Sequence, residues 1–218
     1  MRIAYSVETQ EDFMTPGRPM YAPGVEVIRP NLKKLRDYAL EKKITQAGGL
    51  DVHFGTKEYA FRELELQVNG GPFPMHCPAG KEGAERIPET YVPSITHPHY
   101  LDERVDRDLL RKGLEQGAIW FEKQQYDIFT NPAIDVFMRE YGVKEAIVSG
   151  VLTDWCVKDA VLGMQKRGVQ CYLVTDAIYA LNLEPDSGKK ALEEMATAGA
   201  KFVTTQDVLD NKLRENSK

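Results

Sequence analysis

The sequence predicts an α/β protein, a three-layer sandwich in which helices flank a mostly parallel sheet. Short apolar runs alternate along the chain with amphipathic stretches of helical period, which is typical of parallel strands joined by crossover helices. The chain has 218 residues, a length that suits one domain with a sizeable core. Because the sequence contains no internal repeat, low-complexity tract or linker, we expect residues 1–218 to form a single domain.

In the first part of the chain the alternation of apolar runs and amphipathic helical stretches is weak. A strand is predicted at 3–7, and Pro30 opens a helix, a position where its missing N–H costs nothing. The apolar residues of that helix recur at helical spacing and predict one buried face: Leu32, Leu35, Ala39 and Leu40. A second strand is expected within 44–53, although two adjacent glycines interrupt it. The stretch 55–99 is rich in glycine, proline and polar residues and predicts long loops.

The alternation becomes regular in the second half of the chain. Strands are predicted at 118–121, 145–151, 169–175 and 201–204. Helices are predicted between them, at 132–141, 155–166 and 188–198. This order completes the parallel α/β pattern.

Charge and composition argue against several classes of protein. The chain has 28 basic and 33 acidic residues, a formal net charge of -5 and no basic cluster, so a nucleic-acid partner is not expected. The N-terminus reaches Glu8 too early for a secretory segment, and no apolar run approaches the ~20 residues of a membrane helix. Because no membrane helix is expected, no membrane partner is expected either. The three cysteines lack CxxC spacing, which favours a reduced, cytoplasmic protein.

One cysteine occupies a position suited to chemistry. The stretch 148–157 reads VSGVLTDWCV, a strand end, a tight turn and a helix start that contains Cys156. Nucleophiles in open α/β sheets gather at the carboxyl ends of strands, and a thiol in a first helical turn gains from the helix dipole, which favours the thiolate. A buried cysteine that merely packs as a small apolar residue is the alternative.

The same stretch resembles the G-V-x-T-D-x-C-V signature of the isochorismatase-like cysteine hydrolases, the superfamily that contains the nicotinamidases. The Thr153-Asp154 pair is more similar to the nicotinamidase version. Further similar segments are YAPGVE at 21–26 and VTDA at 174–177, so the resemblance extends from Val7 to about Phe202. It implies an isochorismatase-like fold and an amidohydrolase that releases ammonia from a small amide with Cys156 as nucleophile. A homo-oligomer is expected.

The resemblance also implies an acid and a lysine beside the cysteine. Lys123 lies in IWFEKQQYDIF at 119–129, which resembles the strand, lysine and Y-D-x-F loop of the family. The family pattern V-D-x-Q-x-D-F appears here as VETQEDF at 7–13, so Glu8 replaces the aspartate and Asp12 is expected to make a structural bond. Either the backbone adjusts and Glu8 is the base, or activity is weak or redirected, because a misplacement of about 1 Å is expensive in catalysis.

By the same resemblance, backbone N–H groups of Leu152 and Cys156 form the oxyanion hole, and the Val151–Leu152 peptide bond is cis. Both features concern the turn that precedes the nucleophile. They imply that the Leu152 N–H points toward the reacting carbonyl.

A metal and a ring pocket complete the resemblance to nicotinamidases. The D-x-H and P-x-H-C motifs imply Asp51, His53 and His76 as ligands of a divalent metal, and this donor set favours zinc. The stretch 54–59 contains no further histidine, so either three protein ligands suffice or the site is empty. Phe13 and Phe73 stand where the family sandwiches a flat substrate ring, and Tyr126 is a third candidate for lining it.

Two other functions remain open at this point. An amidase of the same superfamily that acts without metal on a linear amide or ureido compound fits the short Lys-x-x-Tyr-Asp spacing after Lys123. A non-catalytic member that binds a metabolite is compatible with Glu8 in place of aspartate. No G-x-G-x-x-G follows a predicted strand, which disfavours a dinucleotide-dependent oxidoreductase.

Overall fold

The computed structural model describes residues 1–213. Within these residues seven strands form one sheet, and every strand pairing is parallel. In chain order the strands are β1 Arg2–Val7, β2 Thr45–Asp51, β3 Ile95–His97, β4 Ala118–Lys123, β5 Glu145–Val151, β6 Gln170–Tyr179 and β7 Lys201–Val203. Their order across the sheet is β3-β4-β2-β1-β5-β6-β7, which places β1 in the middle.

Helices cover both faces of the sheet, so the predicted three-layer α/β sandwich is confirmed. Among residues 1–213 the helices are α1 Glu11–Met14, α2 Arg29–Glu41, α3 Arg107–Gln116, α4 Pro132–Glu140, α5 Lys158–Lys166, α6 Ser187–Thr197 and α7 Thr205–Leu209. One face packs on α3 to α6, and the other packs on α2 and α7. No helix in this part of the chain has the length and apolar character needed to cross a bilayer.

Four elements were not predicted from the sequence, among them the four-residue helix α1. Strand β3 has only three residues, and helix α7 has five, which is too short for a clear period. Helix α3 begins at the Asp106 side chain, which caps the N–H groups of Asp108 and Leu109, and buries only Leu110 and Gly113. Helix α3 is strongly amphipathic, so its helical period was present in the sequence and was overlooked.

Two local predictions were wrong. Leu40 is 54% exposed, and Tyr38 completes the buried face of α2 instead. The residues 153–157 form a separate wide turn, closed by the Val157 N–H on the Leu152 carbonyl at 3.1 Å, so α5 begins only at Lys158. Trp155 has non-helical φ and ψ angles of -127° and -105°, which interrupts the helix just before Cys156.

The register of the central strands brings the predicted site residues to one edge of the sheet. Val7 pairs with Gly49 on one side and with Gly150 on the other, and Asp51 pairs with Lys123. Because parallel strands all end at the same edge, the residues that follow them converge there.

Gly150 permits the closest backbone approach at this edge. Its φ is +117°, and a Cβ at this position would lie 2.1 Å from the Val7 carbonyl oxygen. Both the left-handed conformation and the contact exclude a side chain. The strand that leads to the nucleophile can therefore pack against β1 only with glycine here.

We expect Gly150→Ala to lower the free energy of unfolding by about 3 kcal/mol or more, because a strained φ and a backbone contact add together. Chemical denaturation followed by circular dichroism measures this. The matched control is Gly70→Ala, where φ is +91° but no atom lies within 4 Å; the φ penalty alone should cost about 1–2 kcal/mol. Equal losses in the two variants would contradict the contact argument.

Candidate active site

A buried lysine joins the predicted catalytic residues. Lys123, at the end of β4, is 0% exposed, and its Nζ lies 2.8 Å from Glu8 Oε1 and 2.5 Å from Asp51 Oδ1. The same ammonium group lies 3.6 Å from Cys156 Sγ, to which it can donate a hydrogen bond. The structure thus brings Glu8, Lys123 and Cys156 together, and it adds Asp51 to the group.

The charges of this group depend on each other. Burial alone would lower the pKa of Lys123, but Asp51, Cys156 and Glu8 raise it well above its ordinary value. Burial would raise the pKa of Asp51, yet the Lys123 charge and the two neighbouring histidines hold it below its ordinary value. The lysine is therefore an ammonium and Asp51 is a carboxylate.

Glu8 is a weaker acid than an ordinary glutamate. It follows the last residue of β1 with a φ of +43°, a conformation that only a few per cent of non-glycine residues adopt. Burial, followed by the nearby Asp51 charge, raises the pKa of Glu8 to about 8, although Lys123 lowers it. A group of this kind can exchange a proton near neutral pH.

The prediction that the turn favours the Cys156 thiolate is wrong for the free protein. Cys156 is 5% exposed and precedes α5, so burial and the Glu8 carboxyl raise the pKa of the thiol well above its ordinary value, and Lys123 only partly offsets them. The thiol consequently needs a proton acceptor before it can attack a carbonyl. One side-chain atom each of Glu8, Asp51 and Cys156 lies within 4.8 Å of the others, so Glu8 is within reach for this purpose.

The turn before the nucleophile has the predicted geometry. The Val151–Leu152 peptide bond is cis, which confirms the expectation from the family resemblance. Leu152 then starts the wide turn that holds Cys156, and its carbonyl accepts hydrogen bonds from the Trp155 and Val157 N–H groups at 3.1 Å each.

Asp12 and Gln10 organise the loop after β1. Asp12 Oδ2 accepts a hydrogen bond from the Cys77 N–H at 2.7 Å, which confirms its structural bond. The Gln10 amide accepts from the Asp51 N–H at 2.8 Å and donates to the Asp51 carbonyl at 2.7 Å. These buried bonds link the segment that carries Glu8 to the segment that carries the two histidine motifs.

A possible metal site lies next to Lys123. The structure brings Asp51, His53 and His76 together and adds Glu65, and one ligand atom of each lies within 4.8 Å of the others. His53 Nε2 lies 2.9 Å from Glu65 Oε1, and His76 Nε2 lies 3.4 Å from it. All four residues are buried. Two imidazoles and two carboxylates form a donor set that suits a divalent ion such as zinc.

Two observations on the histidines fit this assignment. His76 Nδ1 lies 2.8 Å from the Pro74 carbonyl, so this nitrogen carries the proton and Nε2 is left toward the cluster. Among residues 1–213, both ring nitrogens of His53 and Oε2 of Glu65 are buried without a hydrogen-bond partner of good geometry. Such orphaned buried atoms are rare unless another group satisfies them.

Glu65 was missed because nothing in its spacing marks it. It lies in a loop without regular structure, between Glu63 and Leu66, and carboxylates are common in loops. The same loop is held by two other buried charges. The Glu63 carboxylate accepts hydrogen bonds from the Phe54 and Gly55 N–H groups, and the Arg62 guanidinium donates to the carbonyl oxygens of His99 and Tyr100.

The predicted ring-binding residues also converge, with one addition. Phe13 and Phe73 are buried, and their ring centroids lie 5.5 Å and 6.2 Å from that of His76. Tyr126 lies 6.0 Å from Phe73. Trp155, which sequence reasoning missed, contacts both Phe73 at 5.1 Å and Tyr126 at 4.8 Å. Its position directly before the nucleophile was the available signal.

Comparison with known proteins identifies the family. Residues 98–207 match the isochorismatase domain, and this segment contains both Lys123 and Cys156. The chain belongs to the isochorismatase family. The family predicted from the sequence motifs is therefore confirmed, and the isochorismatase segment includes strands β4 to β7.

Relatives of this isochorismatase-family chain include nicotinamidases. It is 28% identical over 144 residues to the nicotinamidase of Escherichia coli, an alignment that covers 65% of this chain and 63% of the relative. It is 24% identical over 210 residues to the nicotinamidase of Acinetobacter baylyi, which covers 93% of this chain and 92% of the relative. A pyrazinamidase of Pyrococcus horikoshii, solved in complex with zinc, is similar with a TM-score of 0.73 and 25% identity, over 93% of this chain and 98% of that one.

We expect Glu65→Ala to weaken zinc binding at least tenfold, because it removes one of four converging donors. Isothermal titration calorimetry with Zn²⁺ measures the affinity. Glu58→Ala is the matched control, since Glu58 is an exposed glutamate of the same loop. Identical affinities in the two variants would rule out Glu65 as a ligand.

Proposed function

We propose that this protein is a cysteine-dependent amidohydrolase that releases ammonia from a small planar carboxamide of the nicotinamide type. The observation that carries the proposal is the placement of one buried ammonium, Lys123, against both Glu8 and Cys156. The comparisons support the broader class, a hydrolase of amide carbon–nitrogen bonds. The single-domain organisation of residues 1–218, a cytoplasmic location and a homo-oligomer remain predictions.

In the first half of the reaction, Glu8 takes the proton of the Cys156 thiol as Sγ attacks the amide carbon. The carbonyl oxygen becomes an oxyanion, and the N–H groups of Leu152 and Cys156 stabilise it. When the carbon–nitrogen bond breaks, Glu8 delivers the same proton to the nitrogen, and ammonia departs. The acyl group is left on Sγ as a thioester.

In the second half, Glu8 takes a proton from water, whose oxygen attacks the thioester carbon. The carbon–sulfur bond breaks, the carboxylic acid leaves, and the proton returns to Sγ. Lys123 stabilises the carboxylate of Glu8 and the transient thiolate, so its charge supports both steps. The raised pKa of Glu8 suits a group that must accept and donate one proton in turn.

Asp51, His53, Glu65 and His76 would hold the divalent metal. When bound, the ion would supply a Lewis-acid anchor for a ring nitrogen of the substrate. Asp51 belongs to both parts of the site, because Oδ1 meets Lys123 and Oδ2 lies 3.5 Å from His76 Nε2. Phe13, Phe73, Tyr126 and Trp155 would enclose a flat ring beside His76.

A second candidate is hydrolysis of a linear amide or ureido compound without metal, which the short Lys-x-x-Tyr-Asp spacing favours. Ammonia release from nicotinamide, pyrazinamide and linear amides, with chelator and after zinc add-back, separates the two. The planar-amide proposal expects nicotinamide turnover that falls on chelation and returns with zinc. Hydrolysis of a linear amide in chelator, with nicotinamide ignored, contradicts the substrate class but not the cysteine mechanism.

We expect Cys156→Ala to reduce kcat by at least about 10³-fold. Glu8, Lys123 and Cys156 act together, so the loss of one of them removes most of the rate acceleration that the three provide. Lys123→Ala should lose turnover in the same way, with circular dichroism to verify its fold. Cys171→Ala is the control for loss of a thiol, since Cys171 is buried in β6 away from the site. Retention of most activity by Cys156→Ala would overturn the mechanism.

The pH profile tests the role of Glu8. Because its pKa is raised to about 8, Glu8 is protonated below that pH and cannot accept the thiol proton. We expect kcat/KM to rise about tenfold per pH unit on the acidic side and to level off near pH 8. The pH at which the curve levels off is the apparent pKa for the first proton lost by the Glu8 and Cys156 pair. Steady-state assays from pH 5.5 to 9.5 measure it, and a flat profile would contradict Glu8 as base.

A further inference from the structure

Three buried polar atoms beside the site make no hydrogen bond of good geometry, and one of them, Glu8 Oε1, is ion-paired with Lys123. Tyr5, on β1, is 1% exposed, and its Oη makes no hydrogen bond within residues 1–213. The two carboxylate oxygens of Glu8 likewise make no hydrogen bond of good geometry, although Oε1 lies 2.8 Å from Lys123 Nζ. An unpaired buried donor and an unpaired buried acceptor each cost free energy.

Two of these atoms, Tyr5 Oη and Glu8 Oε1, border one small space, which Gly49 provides. A Cβ on Gly49 would lie 3.6 Å from Tyr5 Oη and 3.8 Å from Glu8 Oε1, so both side chains reach the point that a side chain at 49 would occupy. The Glu8 N–H also donates to the Gly49 carbonyl at 3.3 Å. Gly48 is different, because a Cβ there would lie 2.4 Å from the Ser6 carbonyl oxygen, which is a backbone clash.

We propose that Tyr5 is a positioning residue for Glu8, and that its phenol donates a hydrogen bond to the Glu8 carboxylate in the space left by Gly49, directly or through one water. The proposal rests on the proposed function, in which Glu8 is the base. It explains how the chain accommodates glutamate where the family pattern has aspartate. The longer side chain has one more rotatable bond, and a second partner besides Lys123 would help to hold it in the geometry that proton transfer needs.

The phenol is suited to the role of donor. Burial, followed by the nearby Glu8 carboxyl, raises the pKa of Tyr5 well above its ordinary value, so the hydroxyl keeps its proton at any working pH. Once Glu8 has lost its proton, above its pKa of about 8, its carboxylate can only accept. In this proposal the effect of Tyr5 on the reaction passes through Glu8.

A double-mutant cycle on kcat tests the proposal. We expect Tyr5→Phe to lower kcat about tenfold with KM changed less than about twofold, because only the placement of Glu8 is lost. In the Glu8→Asp background the shorter carboxylate withdraws from the phenol, and Tyr5→Phe should lower kcat by less than about twofold. Circular dichroism should show that Tyr5→Phe keeps the native fold.

Equal effects of Tyr5→Phe in both backgrounds, or no effect in the wild-type background, would overturn the proposal, because a structural role for Tyr5 gives additive losses. Gly49→Ala supplies a second cycle. Its methyl group fills the shared space and should lower kcat at least about threefold with Glu8 present, and less in the Glu8→Asp background. Additive effects of Gly49→Ala would overturn the part assigned to Gly49.

If wild type hydrolyses no amide, or Glu8→Asp is too slow to assay, the same cycles are run on the alkylation rate of Cys156 by iodoacetamide, read by peptide mass spectrometry. This reaction needs the thiol proton removed but no substrate. Absence of amide hydrolysis then contradicts the proposed function alone. Non-additive alkylation rates support the pairing of Tyr5 with Glu8, and additive rates overturn it.

Discussion

The site depends on one buried ammonium. A charged lysine that is 0% exposed would cost several kcal/mol if it were unpaired. Glu8 and Asp51 compensate this charge at 2.8 Å and 2.5 Å, and Cys156 Sγ lies 3.6 Å away. The strand order makes this possible, because β1, β2, β4 and β5 are neighbours whose carboxyl ends meet.

Asp51 couples the nucleophile to the metal-binding residues. Its two oxygens face different partners, Lys123 and His76. A change in the charge of one partner therefore changes the electrostatic free energy of the other. Burial lowers the pKa of His76, but Asp51 and Glu65 outweigh it and raise the pKa to about 10. Protons on the imidazoles therefore balance the carboxylates when no ion is bound, and a divalent ion must displace them. Metal affinity should consequently fall as the pH falls.

The segment between β2 and β3 shows how a long loop can hold a site without regular structure. Buried charged and amide side chains replace the missing backbone ladders: Glu63 binds two N–H groups of the histidine segment, Arg62 binds carbonyls beyond β3, and Asp12 binds the Cys77 N–H. The Arg62 and Asp12 bonds join residues 37 and 65 positions apart, whereas the Glu63 bonds span 9 and 8 positions. The orientation of His53, Glu65 and His76 depends on them, since no helix or strand contains these three residues.

The sequence by itself determined the alternating α/β order and the residues that follow strand ends, including Glu8, Asp51, Lys123 and Cys156. Parallel strands end at one edge, so position after a strand already predicts proximity. Only the tertiary structure decided the fourth metal donor Glu65, the lining residue Trp155 and the raised pKa of the Cys156 thiol. These depend on burial and on through-space distances between loops and strands, which local spacing does not encode.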